Sequence, residues 1–450
     1  MTAPLFVPSQ PPRVPDWLPG WRGLFGERLK SVVYGIAEPA FDVWTQPRKF
    51  LGRDLLIVNH PDLIGEVLLT RANRYVRPEL TRQVLAPTIG NGLLTAVGED
   101  WRRQRKLVAP TFSPGAVHLM ARFMNAEAER RTAQFPAARA TVDVARVATE
   151  TTMAIISGAL FSGDPRLLSP EAGAHVERLV GSTGQPRLLR MLGLEKWDHT
   201  PHMARVRASR RYLRETLGAI VDERGPSGGA DDFFGGLMRA FYAEMDPAEA
   251  RELAIDNAIT FYAAGHETTS VALAWSAYLM AAQPALQEDL RDEARAAFGS
   301  DPATLADRVP LLRRFLDETL RLYPPVAQLV RQATEDDELG GVPVRKGNIV
   351  FIYPWIVHRH RQLWDNPDMF DIERFSDARK ASYHRFQYLP FGAGPRICVG
   401  MRFAVVEALI ILAHWLTARR FVLPEGARPI PTGTITLRPK GGMPLIVEPL

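Results

Sequence analysis

The stretch Phe391-Gly392-Ala393-Gly394-Pro395-Arg396-Ile397-Cys398-Val399-Gly400 holds the only cysteine of the 450-residue chain. Three glycines and a proline surround the sulfur, so the backbone can turn tightly and come close to a bound group. The apolar run from Met401 to Thr417 predicts a helix directly after this loop. Cys398 is therefore expected near a helix N-terminus, where unpaired N–H groups and the helix dipole lower the pKa of a thiol.

The thiolate is the form of cysteine that binds metal. A lone Cys398 cannot make a zinc site, because zinc takes four ligands. It can serve as the single protein ligand of a haem iron, since the porphyrin supplies the in-plane donors. Taken alone, the segment also fits a small buried cysteine in a turn before a helix.

The pattern Phe-x-x-Gly-x-Arg-x-Cys-x-Gly resembles the haem-binding loop of the cytochrome P450 family. The match is complete, at Phe391, Gly394, Arg396, Cys398 and Gly400. The resemblance implies haem b as the cofactor and Cys398 as the iron ligand. It also implies a mainly α fold with minor β sheets, and haem contacts from Phe391, Arg396, Gly400 and Ala404.

The composition, 46% hydrophobic and 23% charged, is that of an ordinary soluble globular protein. No linker, charge block or repeat divides the chain, so we expect one domain over residues 1–450, with residues 1–20 as a proline-rich arm. No apolar run suits a membrane anchor or signal peptide. We expect a soluble, bacterial-type protein in the cytoplasm, a compartment that suits a single cysteine. The basic residues behind the net charge of +5 are scattered, which disfavours nucleic-acid binding.

Hydrophobic periodicity predicts helices over most of the chain. They cover residues 61–70, 98–109, 117–134, 141–160, 172–183, 203–224, 247–281, 284–298 and 309–322. Short β-like runs at 41–44 and 55–58 predict a small sheet near the N-terminus. Residues 166–210 match by position the family's mobile lid over the substrate channel, but their composition fits a plain surface connection equally well.

A basic helical segment begins at Trp101. Trp101 and Arg105 are four residues apart and so share one helix face. In the family such a pair commonly donates to a haem propionate. Arg331, by its spacing from Pro324 and Pro325, is implied as a further propionate ligand. The neighbouring Arg102, Arg103 and Lys106 can face outward and attract an acidic electron donor.

The helix pattern from Ala254 to Met280 has an inconsistent centre, Ala263-Ala264-Gly265-His266-Glu267-Thr268-Thr269. Glycine in mid-helix costs about 1 kcal/mol relative to alanine, and a buried Glu-Thr pair needs partners. A packing glycine beside an incidental acid is one interpretation. The segment also resembles the family's distal helix, in which a groove beside Ala264 and Gly265 admits O2, and Glu267 and Thr268 relay protons from solvent.

Glu318 and Arg321 lie three residues apart on a helix that Pro324 and Pro325 end. The pair resembles the family's Glu-x-x-Arg motif, whose third member would be Arg374. Ile372 stands where the family usually has proline, so the turn can differ slightly.

Residues after Pro325 predict a strand. The resemblance places Val326, Ala327 and Gln328 at the substrate pocket, together with Ile435 of a predicted hairpin over residues 434–442, whose tip would reach the substrate. The segment His358-Arg359-His360 fits a helix start with exposed basic residues.

The resemblance implies a haem-thiolate monooxygenase that inserts one oxygen atom of O2 into a C–H or C=C bond of a lipophilic small molecule. Electrons are expected from separate proteins, either a ferredoxin with its NAD(P)H-dependent reductase or a flavodoxin. Two alternatives remain: a peroxide-driven peroxygenase on the same fold, and a haem-binding sensor or carrier without turnover. Peroxygenase relatives tend to lack the acid-alcohol pair that this chain has.

Overall fold

The computed structural model describes residues 6–17, 31–50, 53–182, 200–299 and 301–450. Its helices are α1 Pro61–Gly65, α2 Glu79–Ile89, α3 Gly98–Val108, α4 Pro114–Thr132, α5 Val144–Phe161, α6 Pro165–Leu168, α7 Pro170–Ser182, α8 Pro201–Arg224, α9 Phe233–Glu244, α10 Pro247–Ala282, α11 Pro284–Ala297, α12 Pro310–Leu322, α13 Pro354–Val357, α14 Asp377–Lys380 and α15 Met401–Ala418. The expected fold class, mainly α with small sheets, is confirmed.

The strands are short. They are β1 Thr45–Phe50, β2 Arg53–Val58, β3 Tyr75–Val76, β4 Ala140–Asp143, β5 Leu329–Ala333, β6 Asp337–Leu339, β7 Val342–Val344, β8 Ile349–Ile352, β9 Arg419–Val422, β10 Pro431–Thr432, β11 Arg438–Pro439 and β12 Pro444–Pro449. One sheet has the order β1-β2-β8-β5-β3, and a second has the order β4-β12-β9. In the first sheet β2 and β8 run parallel, and the other described pairs are antiparallel. The pairs β6–β7 and β10–β11 are separate hairpins.

Helix α10 runs through the centre of the molecule and packs against α5, α8, α9, α12 and α15. Its start has a local cause: Pro247 occupies the first turn, and the Asp246 carboxylate accepts the Ala248 N–H at 2.9 Å. Pro284, which cannot continue a helix, follows its end. Because α10 is surrounded by other helices, it can present side chains to an interior site.

Two described helices, α5 and α15, have the length and apolar composition of a membrane span. Within the fold, 56% and 72% of their respective apolar windows are buried. Core helices of this kind pass the same test of length and composition. Helix α15, which follows the Cys398 loop, is buried against α10.

Several sequence-based expectations need correction. Residues 41–44 form no strand, because a 3-10 helix over Glu38–Phe41 places the Phe41 ring in the core. Helices α2 and α9 and the short helices α6, α13 and α14 were not predicted. The predicted lid lies partly outside the described residues, since 183–199 are not among them. Of the proline-rich arm, residues 6–17 are described; the Ser9 carbonyl accepts the Tyr323 hydroxyl at 2.6 Å, so this part packs on the helical body.

The prediction for His358-Arg359-His360 is wrong. The three residues follow α13 instead of starting a helix, and their exposed fractions are 0%, 2% and 0%. The Arg359 guanidinium stacks on Trp355 at 3.6 Å, and the His360 ring stacks on Trp44 at 4.1 Å. One aromatic partner from the same segment, Trp355, and one distant in the sequence, Trp44, therefore cover side chains that the local pattern assigns to the surface.

Candidate active site

The Cys398 loop is shaped by two glycines with positive φ, Gly392 at 68° and Gly394 at 70°. A Cβ on Gly394 would lie 1.7 Å from the carbonyl oxygen of Leu68, so no larger residue fits there. The Cys398 N–H donates to the Phe391 carbonyl at 3.0 Å and closes the loop. The backbone thus holds the sulfur in a fixed turn before α15.

The Cys398 side chain is accessible to water, yet protein surrounds it. It therefore lies on the wall of an internal recess. Burial raises the pKa of the Cys398 thiol, while the Gly400 N–H and the charge of Arg105 lower it to a smaller extent. The expectation of a lowered thiol pKa is wrong for the protein alone, because α15 begins only at Met401 and desolvation dominates. A coordinated metal ion deprotonates a thiol outright.

Four arginines lie close together near this loop: Arg77, Arg105, Arg331 and Arg396. Burial and the charges of Arg396 and Arg331 lower the pKa of Arg77 to about 9. Burial and the charges of Arg331 and Arg105 lower the pKa of Arg396 to about 10. The Arg396 guanidinium also stacks on the Trp101 ring at 4.3 Å. Buried cations this close together repel one another unless an anion joins them.

The cluster fits the cofactor that the sequence suggests. Arg77 Nη1 and Arg396 Nη1 are buried without a hydrogen-bond partner among the described residues. Haem b carries two propionate carboxylates, which bind guanidinium groups with charge-assisted hydrogen bonds. Arg77 was missed by the sequence analysis. It lies directly after β3 in an Arg-Pro dipeptide with no recognisable motif, and only the pairing of β3 with β5 indicates its proximity to Arg331.

The middle of helix α10 presents one accessible face. Between Leu253 and Ala281 every residue is buried except Ala264, Gly265 and Thr268. These positions follow the i, i+1, i+4 spacing of a single helix face. The Thr268 hydroxyl donates to the Ala264 carbonyl at 3.0 Å. A Cβ on Gly265 would lie 2.6 Å from Cδ1 of Ile156, so close packing on α5 also favours glycine there.

Glu267 lies beside that accessible face but is itself buried. Its carboxylate is buried and accepts hydrogen bonds from the Thr436 hydroxyl and the Arg438 guanidinium, with Arg438 Nε 2.9 Å from Oε1. Glu267 was expected to exchange protons with solvent. In the fold, the hairpin formed by β10 and β11 lies between its carboxylate and solvent. No local pattern indicates this partnership, since the residues are about 170 positions apart in the chain.

The Glu-x-x-Arg motif and its third member meet in space. Glu318 and Arg321 are both fully buried on α12, and Arg374 Nε lies 3.6 Å from Glu318 Oε1. Ile372 begins a 3-10 turn, Ile372–Phe375, that brings Arg374 inward. This network is remote from any accessible surface, which indicates a structural role.

The remaining predicted residues divide into two groups. Six of them are partly exposed: Val326, Gln328, Ile435, Phe391, Gly400 and Ala404. Ala327 is only 1% exposed and packs in the core, so the structure does not support it as a pocket residue. A hairpin is present near the predicted place, but β10 pairs with β11 over residues 431–439, so the segment 434–437, expected as a strand, forms its tip instead and includes Ile435.

The family model for cytochrome P450 matches residues 28–446, and the chain therefore belongs to the cytochrome P450 family. It is a P450 monooxygenase with a haem-thiolate iron. A cytokinin hydroxylase of Arabidopsis thaliana is 30% identical over 430 residues, covering 91% of this chain and 81% of the relative. Cyclooctatin synthase of Streptomyces melanosporofaciens is 31% identical, covering 88% and 85%. Cytochrome P450 4F2 of Homo sapiens is 28% identical, covering 98% and 90%.

Proposed function

We propose that this P450 inserts one oxygen atom of O2 into a C–H bond, or into a C=C bond, of a lipophilic small molecule. The observation that carries the proposal is the accessible face in the middle of α10, where Ala264, Gly265 and Thr268 interrupt a run that is otherwise buried from Leu253 to Ala281. Val326 and Ile435 add partly exposed apolar side chains, and Gln328 is the polar exception. Such a mostly apolar lining favours a lipophilic substrate. The names of two relatives, cytokinin hydroxylase and cyclooctatin synthase, are consistent with a small-molecule substrate of this broad class.

Each group of residues has a distinct task in this proposal. When bound, the haem iron with a cysteine thiolate, the ligand that characterises the P450 family, would supply the O2-activating chemistry. Cys398 would hold the iron, and Arg77, Arg105, Arg331 and Arg396 would bind the propionates. Thr268 would orient a proton at its hydroxyl, and Glu267 would supply that proton.

We further propose a soluble enzyme of the bacterial type, located in the cytoplasm. It would take electrons singly from a ferredoxin served by an NAD(P)H-dependent reductase, or from a flavodoxin. Arg102 and Lys106 are exposed on α3 and provide positive charge for an acidic partner.

The first test is the absorption spectrum of the dithionite-reduced holoenzyme under carbon monoxide. We expect a strongly red-shifted Soret band in the wild type and its loss in Cys398→Ser. A normal haem-carbonyl band in folded wild-type protein would show that Cys398 is not the axial thiolate ligand.

A second test separates the monooxygenase from its alternatives. With surrogate ferredoxin partners and a substrate identified by its spin-state shift, Thr268→Ala should lower product per NADPH about tenfold or more, since positioned proton transfer contributes about 10²–10⁴-fold. Thr268→Ser keeps the hydroxyl and should stay near the wild type. An unchanged ratio of product to NADPH in Thr268→Ala would favour a peroxygenase. Absence of any product from the wild type would favour a sensor or carrier.

A further inference from the structure

The acid of the distal helix is held by a hairpin from the far end of the chain. Glu267 on α10 and Arg438 on β11 form an ion pair, and the Thr436 hydroxyl donates to the same carboxylate. The Glu267 side chain is 8% exposed and that of Arg438 is 41% exposed. Arg438 therefore bridges the surface of the protein and a carboxylate in its interior.

The hairpin is fixed on both sides of this contact. The Leu437 N–H donates to the Pro325 carbonyl at 3.0 Å, and the Trp275 indole N–H donates to the Leu437 carbonyl at 2.8 Å. Leu437 itself is fully buried. Residues 436, 437 and 438 are thus each hydrogen-bonded to α10 or to Pro325, which follows α12. The hairpin and Glu267 are therefore held as one unit.

The hydrogen bonds from the hairpin all end on Oε1 of Glu267. The clamp therefore fixes the orientation of the carboxylate while Oε2 stays outside it. A carboxylate held by one oxygen can take up and release a proton at the other without leaving its partners. A surface ion pair of two mobile side chains would contribute little, but here Glu267 is buried and a hydroxyl completes the geometry.

We propose that Arg438 and Thr436 are positioning residues for proton delivery, and that they make the hairpin tip part of the proton pathway. The inference rests on the proposed monooxygenase function. In it, Oε2 of Glu267 accepts a proton from a solvent water beside Arg438, and bulk solvent reprotonates that water. Oε2 then donates the proton to a water held by the Thr268 hydroxyl, which regenerates the carboxylate. The Arg438 guanidinium keeps its own protons throughout. Because Ile435 adjoins Thr436, a substrate that displaces the tip also shifts the clamp.

The clamp can be tested without a known substrate. Hydrogen–deuterium exchange of the holoenzyme would be followed by mass spectrometry over residues 431–439. We compare Glu267→Gln, Arg438→Gln and Arg438→Lys with Arg428→Gln, which removes the same charge from an exposed position shortly before the hairpin. Exchange should rise in Glu267→Gln and Arg438→Gln and stay at the wild-type level in Arg428→Gln. Unchanged exchange in Glu267→Gln would overturn the proposal.

The second measurement is NADPH oxidation under O2 with surrogate ferredoxin partners, which needs no organic substrate. Arg438→Gln should slow it about tenfold and Glu267→Gln at least as much, since general acid catalysis contributes about 10²–10⁴-fold. The double variant should be no slower than Glu267→Gln, and Arg438→Lys should recover most of the rate. Additive losses in the double variant would show that Arg438 acts only on the fold. A wild type without a thiolate CO spectrum would defeat the proposed function instead, while the exchange data would still decide the clamp.

Discussion

Glu318 and Arg321 form a bidentate ion pair in which neither side chain is exposed. Arg321 Nε lies 2.6 Å from Glu318 Oε2, and Nη2 lies 2.7 Å from Oε1. The remaining Arg321 N–H groups donate to the carbonyl oxygens of His358, Pro367 and Met369. The pair therefore joins α12 to a segment distant in sequence, which leads on to the Cys398 loop.

Glu318→Ala should yield protein that does not retain haem. Removing one member of a buried ion pair leaves an uncompensated charge and costs about 3–5 kcal/mol. Haem content after purification and urea unfolding measure the two effects. Glu79→Ala is the matched control, because Glu79 and Arg82 form a similar i,i+3 pair on α2 whose side chains are 50% and 43% exposed. Normal haem content in Glu318→Ala would refute the structural assignment.

Arg77→Gln should weaken haem retention without destabilising the apoprotein. It removes a buried positive charge that Arg331 and Arg396 repel, but it also removes a propionate donor. The loss should be about ten- to a hundredfold in haem affinity, since a hydrogen bond to a charged group contributes about 1.5–3 kcal/mol. The rate of haem transfer to an acceptor apoprotein measures it, with Arg82→Gln on α2, a partly exposed position, as control. Wild-type retention in Arg77→Gln would remove Arg77 from the haem site.

Lys106→Glu should slow electron transfer from an acidic redox partner at low ionic strength, and salt should diminish the difference. Lys106 is a cleaner probe than Arg103, which forms an ion pair with Glu249. Stopped-flow reduction across a range of ionic strengths is the measurement. Lys49→Glu, on β1, makes the same charge change elsewhere. Equal reduction rates for Lys106→Glu and the wild type would exclude this face of α3 as the docking site of the redox partner.

His358 should make the protein sensitive to acid. Its Nε2 accepts the Leu389 N–H at 2.8 Å, so protonation would break that bond. Burial lowers the pKa of His358 from 6.5 to about 3. Because the unfolded chain binds this proton and the folded protein does not, stability falls as pH drops from 6.5 towards 3, by up to about 1.4 kcal/mol per pH unit.

Urea unfolding at several acidic pH values tests this slope. His358→Gln should be less stable at neutral pH but should lose stability less steeply with acid. His118→Gln, at an exposed position, should keep the wild-type slope. If the free energy of unfolding falls equally steeply with acid in His358→Gln, the acid sensitivity belongs to other groups.

Local patterns identified the elements that carry their own signal. The periodicity of residues 247–281 predicted α10 closely, because a long apolar helix with a proline in its first turn depends on neighbouring residues alone. The Cys398 loop and the Glu-x-x-Arg pair were visible for the same reason. Of the four distal residues predicted from the sequence, Ala264, Gly265 and Thr268 are accessible, whereas Glu267 is buried.

The class of protein was readable from the amino-acid sequence, since the cysteine loop, the distal helix centre and the ion pair are short contiguous motifs. Which residues surround them depends on how the chain folds. Arg77 joins the arginine cluster because β3 pairs with β5, and Arg438 reaches Glu267 because the terminal hairpin folds back onto α10. The burial of residues 358–360 was equally invisible, because the Trp44 ring that covers His360 and the Leu322 carbonyl that binds Arg359 come from elsewhere in the chain. Motifs record local geometry, whereas burial and charge pairing depend on contacts between residues far apart in sequence.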